Sequence, residues 1–371
     1  MKFIDEFRDG NVAQGIARAI AAAVSPARRY NFMEFCGGHT HVIFRYGLND
    51  ILPPAVKLIH GPGCPVCVLP RGRIDSVIEL LKARPEVIVC TYADLMRVPG
   101  SQGLNFIKMK ALGSDIRMVY SPDDALTIAK SHPTRKVVFL GIGFETTAPA
   151  TACVIAEAKA EGVRNFFVYC LHLLTPPAIQ NILESPEVRD LGTVRLDGFI
   201  GPGHVSAVIG TQPYRYFAEE YRKPVVITGF SPLDLLQSLV FLVRMTHSKE
   251  ATVYNQYSRV VTEEGNPRAK EIISRVFELR PIFEWRGLGP VPYSAFRMRE
   301  EFASWDAELE FGIKDTPAAD HPACLCGAII RGAKTPLDCK LFGKACTPEN
   351  PIGSFMVSSE GTCAAYYAYR K

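Results

Sequence analysis

The stretch His60-Gly61-Pro62-Gly63-Cys64-Pro65-Val66-Cys67 stands between a short apolar run, residues 56–59, and an amphipathic segment, residues 71–82. The run is typical of a buried strand and the segment of a helix. A Cys-x-x-Cys pair at such a turn places two sulfurs close enough to bridge, and a nearby helix N-terminus favours the thiolate. The alternative is two buried cysteines beside a tight turn. The stretch predicts an α/β fold with a redox or metal site at a strand end.

The same succession of strand, turn and helix recurs along the first two thirds of the chain. Because the predicted strands alternate with helices, we expect mostly parallel sheets. The predicted strands cover residues 30–35, 56–59, 87–90, 116–120, 136–140, 166–170, 198–200 and 225–227.

Two parts of this region resemble each other. Gly61-Pro62-Gly63-Cys64 and Gly201-Pro202-Gly203-His204 both follow an apolar strand, and each is followed by a second strand and an acidic turn. We therefore predict two related α/β units, residues 30–135 and 136–245, with both Gly-Pro-Gly turns facing one cleft. The alternative is coincidence, because Gly-Pro-Gly suits many turns.

The bulk composition excludes several classes of protein. The chain has 371 residues, 47% of them hydrophobic, which predicts a globular protein of two or three domains. Its net charge of +4 comes without a Lys/Arg-rich run, so no nucleic-acid partner is expected. Apolar stretches of membrane-spanning length are absent, and residues 1–6 carry acids where a signal peptide needs an apolar run. We expect a cytoplasmic location and no membrane association.

The cysteines point to metal or redox chemistry. Eleven occur, and five of them fall within residues 324–363, which is not the pattern of a disulfide framework in a reducing compartment. The wide spacing suits an iron–sulfur cluster, although a zinc site remains an alternative. Five cysteines compete for four ligand positions. Cys324 is the weakest candidate, because the side chains of a Cys-x-Cys pair point apart in an extended chain.

Other candidate site residues stand at the predicted carboxyl ends of strands. Cys36 precedes two glycines and two histidines, a setting for a reactive thiolate or soft metal ligand, with His39 or His41 as base or partner. Glu145 and His204 also follow strands. Ligands bind at this edge of an open parallel sheet, although a helix cap is an equally good explanation for each residue alone.

Five motifs occur in order across essentially the whole chain: Cys36-Gly-Gly-His-Thr-His41, His60-Gly-Pro-Gly-Cys-Pro-Val-Cys67, Gly143-Phe-Glu-Thr-Thr147, Gly201-Pro-Gly-His-Val-Ser206 and Ser358-Ser-Glu-Gly-Thr-Cys363. Together they resemble the HypD family of hydrogenase maturation factors. The resemblance implies two Rossmann-like open α/β domains, here residues 30–135 and 136–245, and a C-terminal [4Fe-4S] domain, residues 246–371. The helical segment of residues 1–29 would pack with the C-terminal domain.

The resemblance also implies a function. Members of the family act as cytoplasmic scaffolds and redox enzymes that assemble the Fe(CN)2CO group of [NiFe]-hydrogenases. The expected partners are the chaperone HypC, HypE with HypF as the source of cyanide, and indirectly the hydrogenase large subunit. The rival interpretations are a zinc-containing binding scaffold and a general dithiol oxidoreductase.

Roles for individual residues follow from the same resemblance. Cys36 would hold the iron with a cysteine of HypC, and the metal-binding or redox pair Cys64 and Cys67 would pass electrons between the cluster and the iron. His39, Glu145 and His204 are further catalytic candidates. Some relatives have an additional cysteine where this chain has Gly332-Ala333-Lys334, which leaves the choice between Cys324 and Cys326 open. The cysteines that match the cluster ligands are Cys326, Cys339, Cys346 and Cys363.

Overall fold

The computed structural model describes residues 5–190, 192–314 and 316–369, so residues 1–4 of the predicted N-terminal segment lie outside the described residues. Strands and helices alternate as predicted through the first two thirds of the chain. The strands are β1 (Tyr30–Glu34), β2 (Val56–His60), β3 (Ile88–Thr91), β4 (Ile116–Met118), β5 (Val137–Gly143), β6 (Phe166–His172), β7 (Gly198–Pro202), β8 (Val225–Thr228), β9 (Val253–Asn255), β10 (Phe277–Leu279), β11 (Ile282–Trp285), β12 (Gly289–Pro292) and β13 (Phe296–Met298).

The helices of the first two thirds cover the sheets, and those of the last third are short. They are α1 (Gly10–Ala23), α2 (Gly37–Arg45), α3 (Leu48–Ile51), α4 (Pro65–Val68), α5 (Arg71–Ala83), α6 (Phe106–Ala111), α7 (Pro122–Ser131), α8 (Ala148–Ala160), α9 (Thr175–Leu183), α10 (Pro186–Arg189), α11 (Gly203–Ile209), α12 (Arg215–Glu219), α13 (Pro232–Ser248), α14 (Pro267–Val276), α15 (Ala307–Phe311), α16 (Cys326–Ile330) and α17 (Thr362–Tyr369).

Two parallel sheets form the scaffold. The first sheet has the order β2-β1-β7-β8-β9 and the second has the order β4-β3-β5-β6. Every neighbouring pair within them is parallel. The mixed α/β architecture with parallel sheets, expected of Rossmann-like domains, is therefore confirmed.

The predicted boundary between the two units is wrong. Strands β3 and β4, assigned to residues 30–135, pair with β5 and β6, whereas β7 and β8 join β1 and β2. The chain thus leaves the first sheet after β2, builds the second sheet, and returns. A local apolar run predicts a strand but does not specify its neighbour, and the pairing of Phe32 with Gly198 is set by long-range packing.

The expectation that both Gly-Pro-Gly turns face one cleft is confirmed. Strands β2 and β7 lie on either side of β1 and run parallel to it. The turns that follow them therefore emerge at the same edge of the first sheet as Cys36, and Gly63 and His204 line one cleft. The two turns are neighbours within one sheet, not equivalent positions in two repeated units.

The prediction that residues 1–29 pack with residues 246–371 holds for only part of the segment. The ring centroid of Phe7 lies 4.5 Å from the guanidinium carbon of Arg259, whereas helix α1 has its main contacts with α13, on the first sheet. It begins at Gly10 because Asp9 accepts hydrogen bonds from the backbone N–H groups of Asn11 and Val12, at 2.8 and 3.0 Å. The buried Ile20 joins an apolar core of sheet and helix residues in which α13 takes the largest part.

The last third of the chain is built from small elements around the two sheets. Strands β10 and β13 form one antiparallel pair, and β11 and β12 form another. Helix α14 ends at Val276, because Phe277 begins β10. Buried Trp285 donates a hydrogen bond from Nε1 to Oγ of Ser294, at 2.8 Å. Over the ranges that the structure describes, no helix is both long and apolar enough to span a membrane.

Candidate functional site

A cleft of about 1050 Å³ opens where the carboxyl ends of the two sheets and the C-terminal segment meet. Ligands collect at such an edge because strand ends leave backbone groups and loop side chains free. The polar and sulfur-bearing residues that line it are Cys36, Cys64, Tyr92, Asp94, Thr146, Thr147, His204, Ser358 and Glu360.

Cys36 is held against the Gly-Pro-Gly turn by its backbone. It is the residue at which α2 begins, and the N–H group of Gly37 donates a hydrogen bond to the carbonyl of Gly63, at 2.8 Å. A Cβ atom at Gly63 would lie 2.5–2.6 Å from the N, Cα and C atoms of Cys36. Only glycine permits this approach, which explains why the two motifs need each other.

The Gly63→Ala substitution is expected to lower the free energy of unfolding by about 1–3 kcal/mol, because the backbone atoms of Cys36 that the new methyl group meets cannot move without distorting the chain. Gly15→Ala is the matched control. Gly15 lies inside α1 with no atom near its Cβ position, so alanine should stabilise by about 1 kcal/mol. Urea unfolding of both variants measures the difference. Equal stability of Gly63→Ala and the wild type would mean that this contact does not constrain the turn.

Glu34 is a buried carboxylate directly behind Cys36. Its Oε2 atom accepts the backbone N–H of Cys36 at 2.8 Å, and its Oε1 atom accepts from Nδ1 of His60 at 2.9 Å and from Thr40 Oγ1. Glu34 is 0% exposed, and the hydrogen bonds from these donors offset the free-energy cost of burying its carboxylate. Sequence reasoning missed Glu34. The available signal was an acid at the last position of an apolar strand, immediately before the motif.

The environment of Cys36 favours the neutral thiol when no metal is bound. Burial raises the pKa of Cys36, the carboxylates of Glu360 and Glu34 raise it further, and the amides of Gly38 and His39 oppose the rise. A soft metal ion can still displace the proton, because metal coordination stabilises the thiolate directly. This setting fits a metal ligand better than a free reactive thiolate.

Two histidines meet on one phenylalanine. The rings of His204 and His39 stack on Phe230 with centroids 3.7 and 4.8 Å away. His204 lines the cleft, whereas His39 is completely buried, and neither of its ring nitrogens has a hydrogen-bond partner among the described residues. Burial lowers the pKa of His39 to about 4 and also lowers the pKa of His204, so both rings are neutral at pH 7.

The Cys-x-x-Cys pair is closed. Cys64 and Cys67 form a disulfide with Cα atoms 5.2 Å apart, and both side chains are buried. The Sγ atom of Cys64 accepts the N–H of Cys67 at 3.2 Å, as expected of a residue capping a helix. Cys64 lines the cleft together with Cys36. The carbonyl of Cys67 accepts a hydrogen bond from Ser354 Oγ, on the side of the C-terminal cysteines.

Glu145 is not brought into the cleft. Its neighbours Phe144 and Thr146 line the cleft, whereas its own carboxylate accepts hydrogen bonds from the N–H and Oγ1 of Thr175, at 2.8 and 3.1 Å. It therefore caps α9. Burial raises the pKa of Glu145 to about 7, against the effect of these donors.

All five C-terminal cysteines line a second, smaller pocket, whose other walls are apolar. Cys324 and Cys326 have Sγ atoms 3.3 Å apart, and Cys346 Sγ accepts the N–H of Ile352 at 3.3 Å. A Cβ atom at Gly353 would lie 2.7 and 2.8 Å from the sulfurs of Cys326 and Cys324, so this glycine leaves the space in front of them open. We call this the cysteine pocket.

The donor set of the cysteine pocket is compatible with an iron–sulfur cluster. Five thiol groups line one pocket, and iron–sulfur clusters are bound by cysteine thiolates, with N–H···S hydrogen bonds tuning them. Cys326, Cys346 and Cys363 are buried, and Cys324 and Cys339 are half-buried. The pocket does not distinguish which four of the five are ligands.

One C-terminal segment, residues 353–363, contacts the cleft with Cys36, the disulfide of Cys64 and Cys67, and the cysteine pocket. Gly353 lies against the cysteine pocket and Ser354 hydrogen-bonds to Cys67. Ser358 and Glu360 line the cleft, and Ser358 Oγ donates to Asp94 Oδ2 at 2.7 Å. The cleft, the disulfide and the cysteine pocket are therefore parts of one packed region.

Comparison with known proteins gives matches along the whole chain. The family model HypD, described as "Hydrogenase formation hypA family", matches residues 11–370. The chain is 62% identical over 369 residues to the hydrogenase maturation factor HypD of Cupriavidus necator, and 60% identical to that of Rhizobium leguminosarum bv. viciae. It is 46% identical over 376 residues to that of Escherichia coli K12. Each match covers 100% of this chain, and 97%, 96% and 99% of the three relatives, respectively.

Proposed function

The chain belongs to the HypD family, and on that premise we propose that it assembles the Fe(CN)2CO group of [NiFe]-hydrogenases in the cytoplasm. The observation that carries the proposal is the shared cleft of Cys36 and Cys64, with the cysteine pocket joined to it through residues 353–363. HypC would bind at the cleft, HypE with HypF would supply cyanide, and the product would pass towards the hydrogenase large subunit.

The iron being modified is the substrate, and Cys36 is its proposed ligand on this chain. Cyanide is a strong-field ligand that prefers low-valent iron, and a thiolate is a suitably soft donor for such iron. Binding displaces the thiol proton of Cys36. The carboxyl group of Glu360 lines the cleft as an acceptor for that proton, and desolvation, together with the nearby Asp94 and Glu34, raises its pKa. A second thiolate would come from HypC.

Cys64 and Cys67 are the proposed redox pair. As the dithiol closes to the disulfide, two thiol protons and two electrons leave the pair and one S–S bond forms. Cys64 lines the cleft beside Cys36, so the electrons are released where the iron is held. The cap of α4 holds the Cys64 sulfur beside Cys67, because Cys64 Sγ accepts the backbone N–H of Cys67.

The cysteine pocket would hold a [4Fe-4S] cluster on Cys326, Cys339, Cys346 and Cys363. A bound cluster supplies one-electron redox chemistry. The apolar walls of the pocket exclude water, and the N–H of Ile352 supports the sulfur of Cys346. A general dithiol oxidoreductase is a poorer interpretation, because Cys67 is 1% exposed and Cys64 is 4% exposed, which leaves no room for a protein disulfide as substrate.

Infrared spectroscopy of the anaerobic complex with HypC tests the proposed assembly of the iron group. We expect stretching bands of iron-bound cyanide and carbonyl in the wild-type complex. A complex that contains iron but has neither band would overturn the proposal. A colourless protein containing zinc would favour the binding-scaffold interpretation.

We expect Cys64→Ser to lower hydrogenase maturation by roughly 100-fold or more. The visible absorption of the cluster proposed for the cysteine pocket should be retained. One remaining thiol cannot close an internal disulfide, and serine fills nearly the same volume. The assay is hydrogenase activity in a deletion strain complemented with the variant. Cys90→Ser, at a buried cysteine of β3, is the matched control and should retain activity. Normal maturation by Cys64→Ser would exclude the redox role.

A further inference from the structure

The loop after β11 lies between the disulfide and the cysteine pocket. The backbone N–H of Arg286 donates to the carbonyl of Val68, the residue after Cys67, at 2.7 Å. Its neighbour Gly287 has φ +87°, and a Cβ atom there would lie 3.0 Å from Cα of Gly327, the residue after Cys326. Arg286 is therefore fixed on one side to the turn of the redox pair and on the other to the start of α16.

The guanidinium of Arg286 is an incompletely compensated buried charge. Its side chain is 3% exposed, and Nη2 lies 2.5 Å from Oδ1 of Asp320. None of Nε, Nη1 and Nη2 makes a hydrogen bond of ordinary geometry with the described residues. Asp320 is 30% exposed and is shared with Arg71, whose Nη2 is 3.7 Å away. Such a charge is costly to bury, so its retention beside a sulfur site calls for a function.

We propose that Arg286 sets the reduction potential of the cluster held by the cysteine pocket, its buried positive charge favouring the reduced state. The inference rests on the proposed function, because it requires that a cluster is bound.

The physical reason is Coulombic. One electron taken from a reductant adds one negative charge to the pocket, and no bond to the protein forms or breaks. A nearby positive charge stabilises that added charge, and it does so more strongly in a water-excluded site than in solvent. Net charge and hydrogen bonds around the sulfurs are the recognised determinants of such potentials. Arg286 supplies the buried positive charge, and its Nε and Nη1 atoms make no hydrogen bond to the described residues.

Two substitutions are expected to shift the potential in opposite directions. Arg286→Met removes the positive charge and should make the potential more negative. Asp320→Asn removes the compensating carboxylate and should make it more positive. Arg286→Lys, which keeps the charge, should restore most of the wild-type value. Arg280→Met is the control: this arginine is paired with Glu308 and acts on Cys170, not on the cysteine pocket, so no shift is expected.

The measurement is an anaerobic dithionite titration of the full-length protein, followed by visible absorbance and electron paramagnetic resonance, with iron content determined for each variant. Opposite shifts for Arg286→Met and Asp320→Asn support the inference, and an unchanged potential in both overturns it. If Arg286→Met loses its iron, the Asp320→Asn shift decides. Wild-type protein without a cluster would overturn the proposed function itself, whereas a cluster with an unshifted potential overturns only the role of Arg286.

Discussion

Cys36→Ser should abolish hydrogenase maturation, by roughly 100-fold or more, in a protein that still folds and still binds HypC. Serine keeps the shape of the side chain, and Cys36 is half-buried at the edge of the cleft, so little packing is lost. One contact is also a small part of a protein interface. Its oxygen, however, is a harder and poorer donor than sulfur for low-valent iron. Replacing residues that support the ligands of a metal typically lowers metal affinity or activity by about 10–100-fold. Replacing a ligand itself should lower activity at least as much.

The measurement has two parts. Hydrogenase activity in a deletion strain reports maturation, and the infrared spectrum of the purified complex with HypC reports the iron group. Cys153→Ser is the matched control, because Cys153 is an exposed cysteine of α8 and should be replaceable without effect. Cyanide bands of normal intensity in Cys36→Ser would exclude the ligand role.

Alanine at Cys326, Cys339, Cys346 or Cys363 is expected to remove the visible absorption of the cluster and to destabilise the C-terminal third. Ligand binding contributes to folding wherever a segment has little core of its own, and residues beyond 316 form only short elements. A loss of several kcal/mol would lower Tm by about 2–4 °C for each kcal/mol.

Cys324→Ala is the control for this series and should keep the colour. The test is sharp because Cys324 and Cys326 lie in the same pocket, with sulfurs 3.3 Å apart. Absorbance and iron content of anaerobically purified variants, together with thermal unfolding, give the result. If Cys324→Ala is colourless and Cys326→Ala is not, the assignment of ligands is reversed.

The local parts of the fold could be predicted from the sequence. Strands β1 to β8 lie at the predicted positions, because each corresponds to a short apolar run in the sequence. Their distribution between two sheets could not be predicted. Whether β7 pairs with β1 or with β6 depends on which helices cover each face, and no residue of Gly198–Pro202 encodes that choice.

The part of the candidate site that lies directly after strand ends could be predicted from the sequence motifs. Cys36, Cys64 and His204 follow strand ends and meet in the cleft. Glu145 follows a strand end as well, but its side chain points to the N-terminus of α9, which periodicity could not specify. Glu34 was missed because an acid inside an apolar strand has meaning only once its three donors are in place.

The chain leaves the first sheet after β2 and returns to it at β7, and this order determines when the cleft can form during synthesis. During synthesis β1 and β2 leave the ribosome well before β7, the strand that completes the edge beside Cys36. Ser358 and Glu360, which also line the cleft, are translated later still. Chains fold from the N-terminus as they emerge, but this cleft cannot form from an N-terminal part alone. Under the proposed function, iron can therefore be bound only after these parts of the chain have been made, and a chain that ends before residue 358 would lack a complete cleft.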